Sequence, residues 1–367
     1  MAYRILVLGA SYGSLFGTKL LMAGHSVSLV CTRATADLIE REGTRVRFPV
    51  KGLGAPLELS SKTLPGVLTA CTPEEVDPRT YDLVVLGMQE AHYGSRGVRE
   101  LMRRIARSRK PCLAIMNMPP LPFLKRIPRV SAALLESCYA DPAVWDGFDP
   151  ALVTLASPDP QAFRPQGEPK NVLQVGLPTN FKAARFESDA PTRILREIEA
   201  SIEAARLDPD GEAIEIPVKL KVHDSMYVPL AKWPMLIAGN YRCIRQNDMI
   251  PIREAVHGDV EESRRIYEWV AALCTSLGAE PADLVPFEKY AKAAETLGKP
   301  SSAARALFGG AEHIERVDSL VRRIARHQGL QCDALHEIVE RVDERLKRNR
   351  STAEGRFFAP AAAALAT

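Results

Sequence analysis

The opening stretch, residues 3–31, constrains the fold more than any other part of the chain. Residues 3–8 (Tyr-Arg-Ile-Leu-Val-Leu) form a short apolar run that ends in a small-residue turn, residues 9–14 (Gly-Ala-Ser-Tyr-Gly-Ser). A helical pattern through Leu15, Leu20, Leu21 and Ala23 follows and stops at Gly24, and residues 26–31 (Ser-Val-Ser-Leu-Val-Cys) read as a second strand. Strand, glycine turn, helix and strand in this order make the βαβ unit of a parallel sheet. Helices cover both faces of such a sheet, so its strands read as continuous apolar runs.

The rest of the chain extends this plan. Strands are expected at 82–86 and 111–116 with a helix over 97–107 between them, and at 171–175 and 213–217 flanking a helix over 191–205. Residues 46–72, rich in Gly, Pro and Ser, predict short antiparallel pieces, and Asp-Pro-Asp-Gly at 208–211 is a turn signal. After Pro217 the apolar spacing becomes three and four residues, which fits four or five helices broken near 247–251, 278–281, 298–302 and 329. A chain of 367 residues is too long for one ordinary core. The expected organisation is a dinucleotide-binding Rossmann domain over 1–216, a helical substrate and dimerisation domain over 217–348, and a flexible tail over 349–367.

Composition excludes several function classes. Basic and acidic residues nearly cancel, 48 against 45, which leaves no electrostatic footprint for nucleic acid. The basic run 347–350 (Lys-Arg-Asn-Arg) ends a helical pattern, where it complements the negative end of the helix dipole. The seven cysteines are scattered, with no Cys-x-x-Cys pair, so no metal site is predicted and reduced thiols in a cytoplasmic protein are the simplest account. The N-terminus runs straight into a strand without a leader of signal-peptide form, and no window reaches the roughly eighteen uncharged apolar residues of a membrane span. A small-molecule substrate is expected, with neither nucleic acid nor membrane as partner.

The turn itself points to a cofactor. Gly9 permits a tight turn, missing side chains let backbone amides approach a diphosphate, and the helix N-terminus adds positive potential. Gly9, Ala10, Ser11, Tyr12, Gly13 and Ser14 are therefore the candidate diphosphate cradle. The spacing departs from the usual three-glycine pattern: either Ser11 takes the second glycine's place, or the loop is one residue shorter. The second strand ends Cys31-Thr32-Arg33, with no carboxylate to bond an adenosine ribose. A hydroxyl at Thr32 followed by the Arg33 guanidinium favours the extra phosphate of NADP.

At these residues the chain resembles the ketopantoate reductase (2-dehydropantoate 2-reductase) family. The resemblance runs from Ile-Leu-Val-Leu-Gly-Ala-Ser-Tyr-Gly at the N-terminus, through 82–89 (Asp-Leu-Val-Val-Leu-Gly-Met-Gln) and 114–118 (Ala-Ile-Met-Asn-Met), to Pro-Ser-Ser at 300–302 and Arg-Arg-Ile-Ala-Arg-His-Gln-Gly at 322–329. It implies an α/β fold with a Rossmann-type doubly wound sheet followed by an all-helical domain like that of 6-phosphogluconate dehydrogenase, and it admits a homodimer. It also implies NADPH-dependent reduction of a small 2-oxo acid. Gln89 stands where the family has a lysine beside the cofactor, and Met118 replaces the glycine after Asn117. Residues 219–239 resemble the first long helix of the family's second domain, but the Lys-Leu-x-x-Asn pattern is displaced.

Reducing a keto acid requires a proton donor and a cradle for the carboxylate. On a helix, Lys219, His223 and Tyr227 would share one face at four-residue spacing, with Lys219 or His223 as general acid, Lys221 as another candidate lysine, and Tyr227 beside the substrate. Asn117, at a strand's carboxyl end, is a candidate for cofactor and substrate contact, and Glu312 for a substrate hydroxyl. Ser301 and Ser302 suit either substrate contact or a helix N-cap. An opine-type dehydrogenase using His223 with Asp224, and a silent NADP-binding sensor, are the competing readings.

Overall fold

The computed structural model describes residues 2–207 and 213–358, which divide into two compact units. The first holds residues 1–137 and 141–232, the second residues 138–140 and 233–367. The 208–211 turn lies outside the described residues.

In chain order the first unit comprises β1 (Arg4–Leu8), α1 (Tyr12–Met22), β2 (Ser26–Val30), α2 (Arg33–Glu42), β3 (Arg45–Phe48), β4 (Leu57–Ser60), β5 (Leu68–Cys71) and β6 (Leu83–Leu86). It continues with α3 (Val98–Ser108), β7 (Cys112–Ile115), the single turn α4 (Leu121–Leu124), β8 (Val153–Ser157), β9 (Gln161–Phe163), β10 (Val172–Leu177), β11 (Phe181–Ala184), α5 (Asp189–Ala204) and β12 (Leu220–His223). The main sheet has the order β12-β11-β8-β7-β6-β1-β2-β5. Its strands from β8 to β5 are parallel, whereas β11 runs antiparallel to β8 and parallel to β12. From β1 the chain builds outward through β2 to β5, then returns to the other side of β1 with β6, β7 and β8. The switch point, where open α/β sheets bind ligands, therefore lies between the carboxyl ends of β1 and β6.

A second sheet, β4-β3-β10-β9, accounts for the character of α1. Every residue of α1 from Gly13 to Met22 is buried, because β1 and β2 cover one face while β3 and α5 cover others. A helix enclosed in this way must be apolar nearly all round, and Gly-Ser-Leu-Phe-Gly-Thr-Lys-Leu-Leu-Met complies except at Ser14 and Thr18, whose hydroxyls bond carbonyls one turn back, and at Lys19. Lys19 is 1% exposed; its Nζ donates to Ile216 O at 2.7 Å and lies 5.9 Å from the centre of the Phe48 ring.

Several expectations are corrected here. Residues 219–239 do not form one helix, since helical turns begin only at Val228: Lys-Leu-Lys-Val-His alternates, and β12 buries Leu220 and Val222 while pairing with β11. Pro229 and Pro234 then limit the chain to a 3-10 turn (Val228–Ala231), α6 (Lys232–Met235) and a π turn (Leu236–Asn240). The first unit thus includes a strand beyond Pro217. The 213–217 segment contributes only an isolated bridge, Leu207 to Ile214. The antiparallel reading of 46–72 holds for the β3–β4 hairpin, but β5 joins the main sheet in parallel with β2.

The second unit is helical among its described residues: α7 (Ile252–His257), α8 (Val260–Leu277), α9 (Phe287–Ala294), α10 (Ser302–Phe308), α11 (Val317–His327) and α12 (Asp333–Phe358). At the π turn, a Cβ on Gly239 would meet Tyr290 Oη at 1.9 Å, and that hydroxyl donates to Met235 O at 3.0 Å. Asp318, fully buried, pairs with Arg316 at 3.0 Å, and Arg316 also reaches Asp343 at 2.7 Å. The expected flexible tail is helical from 349 to 358, where Asn349 Nδ2 donates to Leu307 O and Ala311 O, each at 2.8 Å; residues 359–367 lie outside the described residues. No described helix is long and apolar enough to cross a membrane.

Lys19 generates a prediction. Burial, reinforced by the nearby Lys219 charge, pushes its pKa down from 10.5 to about 7. Between those values the unfolded chain holds a proton that the native chain lacks, so stability rises with pH across that window. Below it the folded protein carries the full cost of a buried ammonium. Lys19→Met is expected to raise stability at pH 7 by roughly 1–3 kcal/mol and to flatten the rise toward pH 10 in thermal melts. A variant that is less stable at pH 7 contradicts this account.

Candidate active site

The glycine turn is built around two contacts that only glycine allows. Gly9 has φ +98, and a Cβ there would lie 2.7 Å from Met88 Cγ and 3.0 Å from Gly87 O. A Cβ on Gly13 would lie 2.8 Å from Val7 Cγ1, so the start of α1 presses directly on β1. Gly9 supplies the tight turn, and Gly13 supplies the close helix–strand packing that the third glycine provides in the usual pattern. Of the two alternatives in the sequence, the shorter loop is the one formed, with Ser11 exposed between them. Ser14 N and Leu15 N both donate to Ser11 O, and Ser14 Oγ donates to Ala10 O at 2.9 Å. Ser11 makes no side-chain cap, so amides at the start of α1 face outward as the first turn of a helix requires.

Parallel pairing brings the other cofactor candidates to the same edge. Thr32 and Arg33 follow β2, Gln89 follows β6, and Asn117 follows β7, all at the carboxyl ends of neighbouring strands. Gln89 is exposed and Asn117 half-buried. Thr32 Oγ1 donates to Thr35 Oγ1 at 3.0 Å, at the start of α2. Arg33 is occupied: Nη2 pairs with Glu75 at 2.6 Å, and Nη1 lies 3.9 Å from Asp37.

The candidate acids are separated. Lys219 and His223 stand at opposite ends of a strand, roughly 13 Å apart at the usual rise. Because β12 runs against the parallel strands, His223 lies at their amino-terminal edge, away from the glycine turn. Lys219 lies at the carboxyl edge but five strand positions from β1, and it pairs with Glu203 at 2.5 Å and with Glu215. Burial pulls its pKa down, but these carboxylates outweigh burial and the pKa is raised. Lys221 also binds Glu203, at 2.7 Å, and Asp224 pairs with Arg196 at 2.9 Å. Tyr227 is half-buried beyond β12, with its amide donating to Ser225 Oγ at 3.2 Å.

In the second unit, Ser301 is the N-cap of α10: its Oγ accepts from Ala304 N at 3.1 Å and donates to Asn240 O at 2.7 Å. Ser302 and Glu312 are exposed, whereas Glu315 nearby is buried. Among the described residues no cluster of His, Cys, Asp and Glu could hold a metal ion.

One cluster at the carboxyl edge was missed in the sequence. Asp159, two residues past β8, lies 3.2 Å from Lys232 Nζ and 3.6 Å from Lys182 Nζ. Side-chain exposures of 14% for Asp159 and 16% for Lys232 mark an enclosed pair. The apolar run Val-Thr-Leu-Ala-Ser before Asp159 is the signal that could have revealed β8 and hence this edge.

This architecture defines a class: a Rossmann-type dinucleotide fold followed by a helical unit. More specifically, the fold is that of the ketopantoate reductases, as solved structures show. A 2-dehydropantoate 2-reductase from Methylococcus capsulatus superposes with TM-score 0.63 at 15% identity, covering 94% of this chain and 97% of that one. A D-mandelate dehydrogenase solved with NADH and anilino(oxo)acetate gives TM-score 0.62 at 14% identity, covering 95% and 99%. A dimeric ketopantoate reductase from Staphylococcus aureus gives 0.57 at 8% identity, covering 94% and 99%. No family model and no curated protein matches the sequence.

The glycine contacts generate paired predictions. Gly9→Ala is expected to destabilise the protein by about 1–3 kcal/mol and to weaken dinucleotide binding. Gly17→Ala, whose Cβ would sit at an ordinary 3.5 Å from Val27 Cγ1, is expected to stabilise it by about 0.4–1 kcal/mol. Thermal melts in parallel check both signs.

Proposed function

We propose that the chain is an NADPH-dependent reductase of a small 2-oxo acid. The observation that carries this reading is the glycine-only approach of the α1 N-terminus to the switch point between β1 and β6. Outward amides at residues 11–13 would hold the diphosphate, with Thr32 and the arginines of that edge at the adenosine end and Gln89 and Asn117 toward the nicotinamide. When bound, reduced nicotinamide supplies a hydride to the keto carbon. The fold shared with 2-oxo acid and 2-hydroxy acid enzymes supports the substrate class.

Lys232 is the proton donor in this reading. It lies at the carboxyl edge beside β8, the neighbour of the strand β7 that Asn117 follows, and Asp159 anchors its ammonium. Donation of its proton to the developing alkoxide leaves a neutral amine, which solvent reprotonates. Lys182 balances the Asp159 charge from the other side. Lys219, held by two carboxylates at the far end of the sheet, is less suited to this step. The opine-type reading loses its His–Asp pair, because Asp224 bonds Arg196 and His223 faces the opposite edge.

NADPH oxidation with a panel of 2-oxo acids, each with and without amino acids, tests the reading. Turnover with an oxo acid alone is expected; a strict amino-acid requirement, or tight NADPH binding with no turnover, overturns it. Lys232→Ala is expected to lower kcat by about two orders of magnitude. Lys219→Ala should lower it far less, and the reverse ranking returns the acid to Lys219.

A further inference from the structure

The adenosine end of the carboxyl edge carries one arginine whose charge is already matched and another whose charge is not. Arg33 is held by Glu75 and approached by Asp37. The Thr72 amide and Arg33 together hold the Glu75 carboxyl down at about 2, so it is ionised at neutral pH. A phosphate arriving at Arg33 would displace Glu75 and lie beside the charge it freed.

Arg164 has a different setting. It follows β9, is exposed, and its Nη2 donates to Ala10 O inside the glycine turn at 3.3 Å. Among the described residues no Asp or Glu lies within ion-pair distance of it. Tyr12 Oη donates to Pro160 O at 3.1 Å, so the segment leading to Arg164 is tied to the turn at a second point. Burial and the neighbouring Cys71 push the Cys31 thiol up to about 11, and Arg164 pulls against them. Gly9 N donates to Val30 O at 2.9 Å, so the turn that Arg164 holds is tied to the end of β2, the place where Rossmann folds recognise the adenosine ribose.

We propose that Arg164, rather than Arg33, is the main reader of the 2′-phosphate of NADP and the residue that sets NADPH preference. The assignment rests on the dinucleotide reading above. A guanidinium offers a planar fork of donors that matches phosphate bidentately, and the Ala10 carbonyl orients that fork before the cofactor arrives. Residue 164 is 131 positions from Arg33 in sequence, and the second sheet carries it across to the first turn of α1.

Calorimetric titration of NADPH and NADH into the wild type, Arg164→Gln and Arg33→Gln tests the assignment. Arg164 is exposed and makes one carbonyl contact, so its variant should fold, which circular dichroism verifies. The expected result is a loss of about tenfold or more in NADPH affinity for Arg164→Gln with NADH affinity changed less than about twofold, and a smaller NADPH loss for Arg33→Gln. Equal losses for both dinucleotides would place Arg164 on the diphosphate and overturn the proposal. So would an unchanged NADPH-to-NADH ratio, or a wild type that binds NADH alone. A wild type that binds neither dinucleotide would overturn the reductase reading as well.

Discussion

The close approach of α1 to the ends of β1 and β6 is the contact on which the rest of the molecule depends. It needs glycine at two positions for different reasons: a positive φ at Gly9, and the absence of a Cβ at Gly13 so that Val7 can lie against the helix. Gly87 continues the constraint from the neighbouring strand, since a Cβ there would meet Leu8 O at 3.1 Å. Backbone amides and strand ends are thereby gathered around one small space at the point where the sheet order reverses. A diphosphate suits that space because the helix N-terminus supplies donors and positive potential without a charged side chain.

The same packing explains an expensive feature deeper in the unit. α1 lies between two sheets, so even its outer face is covered and Lys19 is buried away from water. Among the described residues a carbonyl and an aromatic ring receive its amine. Nearby, Lys219 and Lys221 share Glu203, and Glu215 completes the group. These charges are spent on holding β12, α5 and the segment before β12 together, which is why the most conspicuous lysines of the sequence are poor candidates for chemistry.

Much of the first unit was legible from residues alone. The run 3–31 carries strand, turn and helix signals that agree with one another, and α3 and α5 fall within two residues of their expected positions. The departure at β12 has a definite cause: Lys-Leu-Lys-Val-His alternates like a strand, four-residue spacing of its polar side chains also suits a helix, and Pro229 and Pro234 downstream favour the strand. β8 was overlooked because its short apolar run sits among Pro- and Asp-rich segments. Arg164 and Lys232 could not be placed by any local pattern. Each reaches the carboxyl edge only through pairings between distant strands, and pattern reading does not compute those.

The central claim is that main-chain amides at the start of α1 bind the cofactor's diphosphate. Amide hydrogen exchange at residues 11–13, followed with and without saturating NADPH, addresses it most directly. Marked slowing at those amides, with smaller changes at the far end of α1, is the predicted result. Exchange at those amides that is the same in the presence and absence of saturating NADPH would contradict the account.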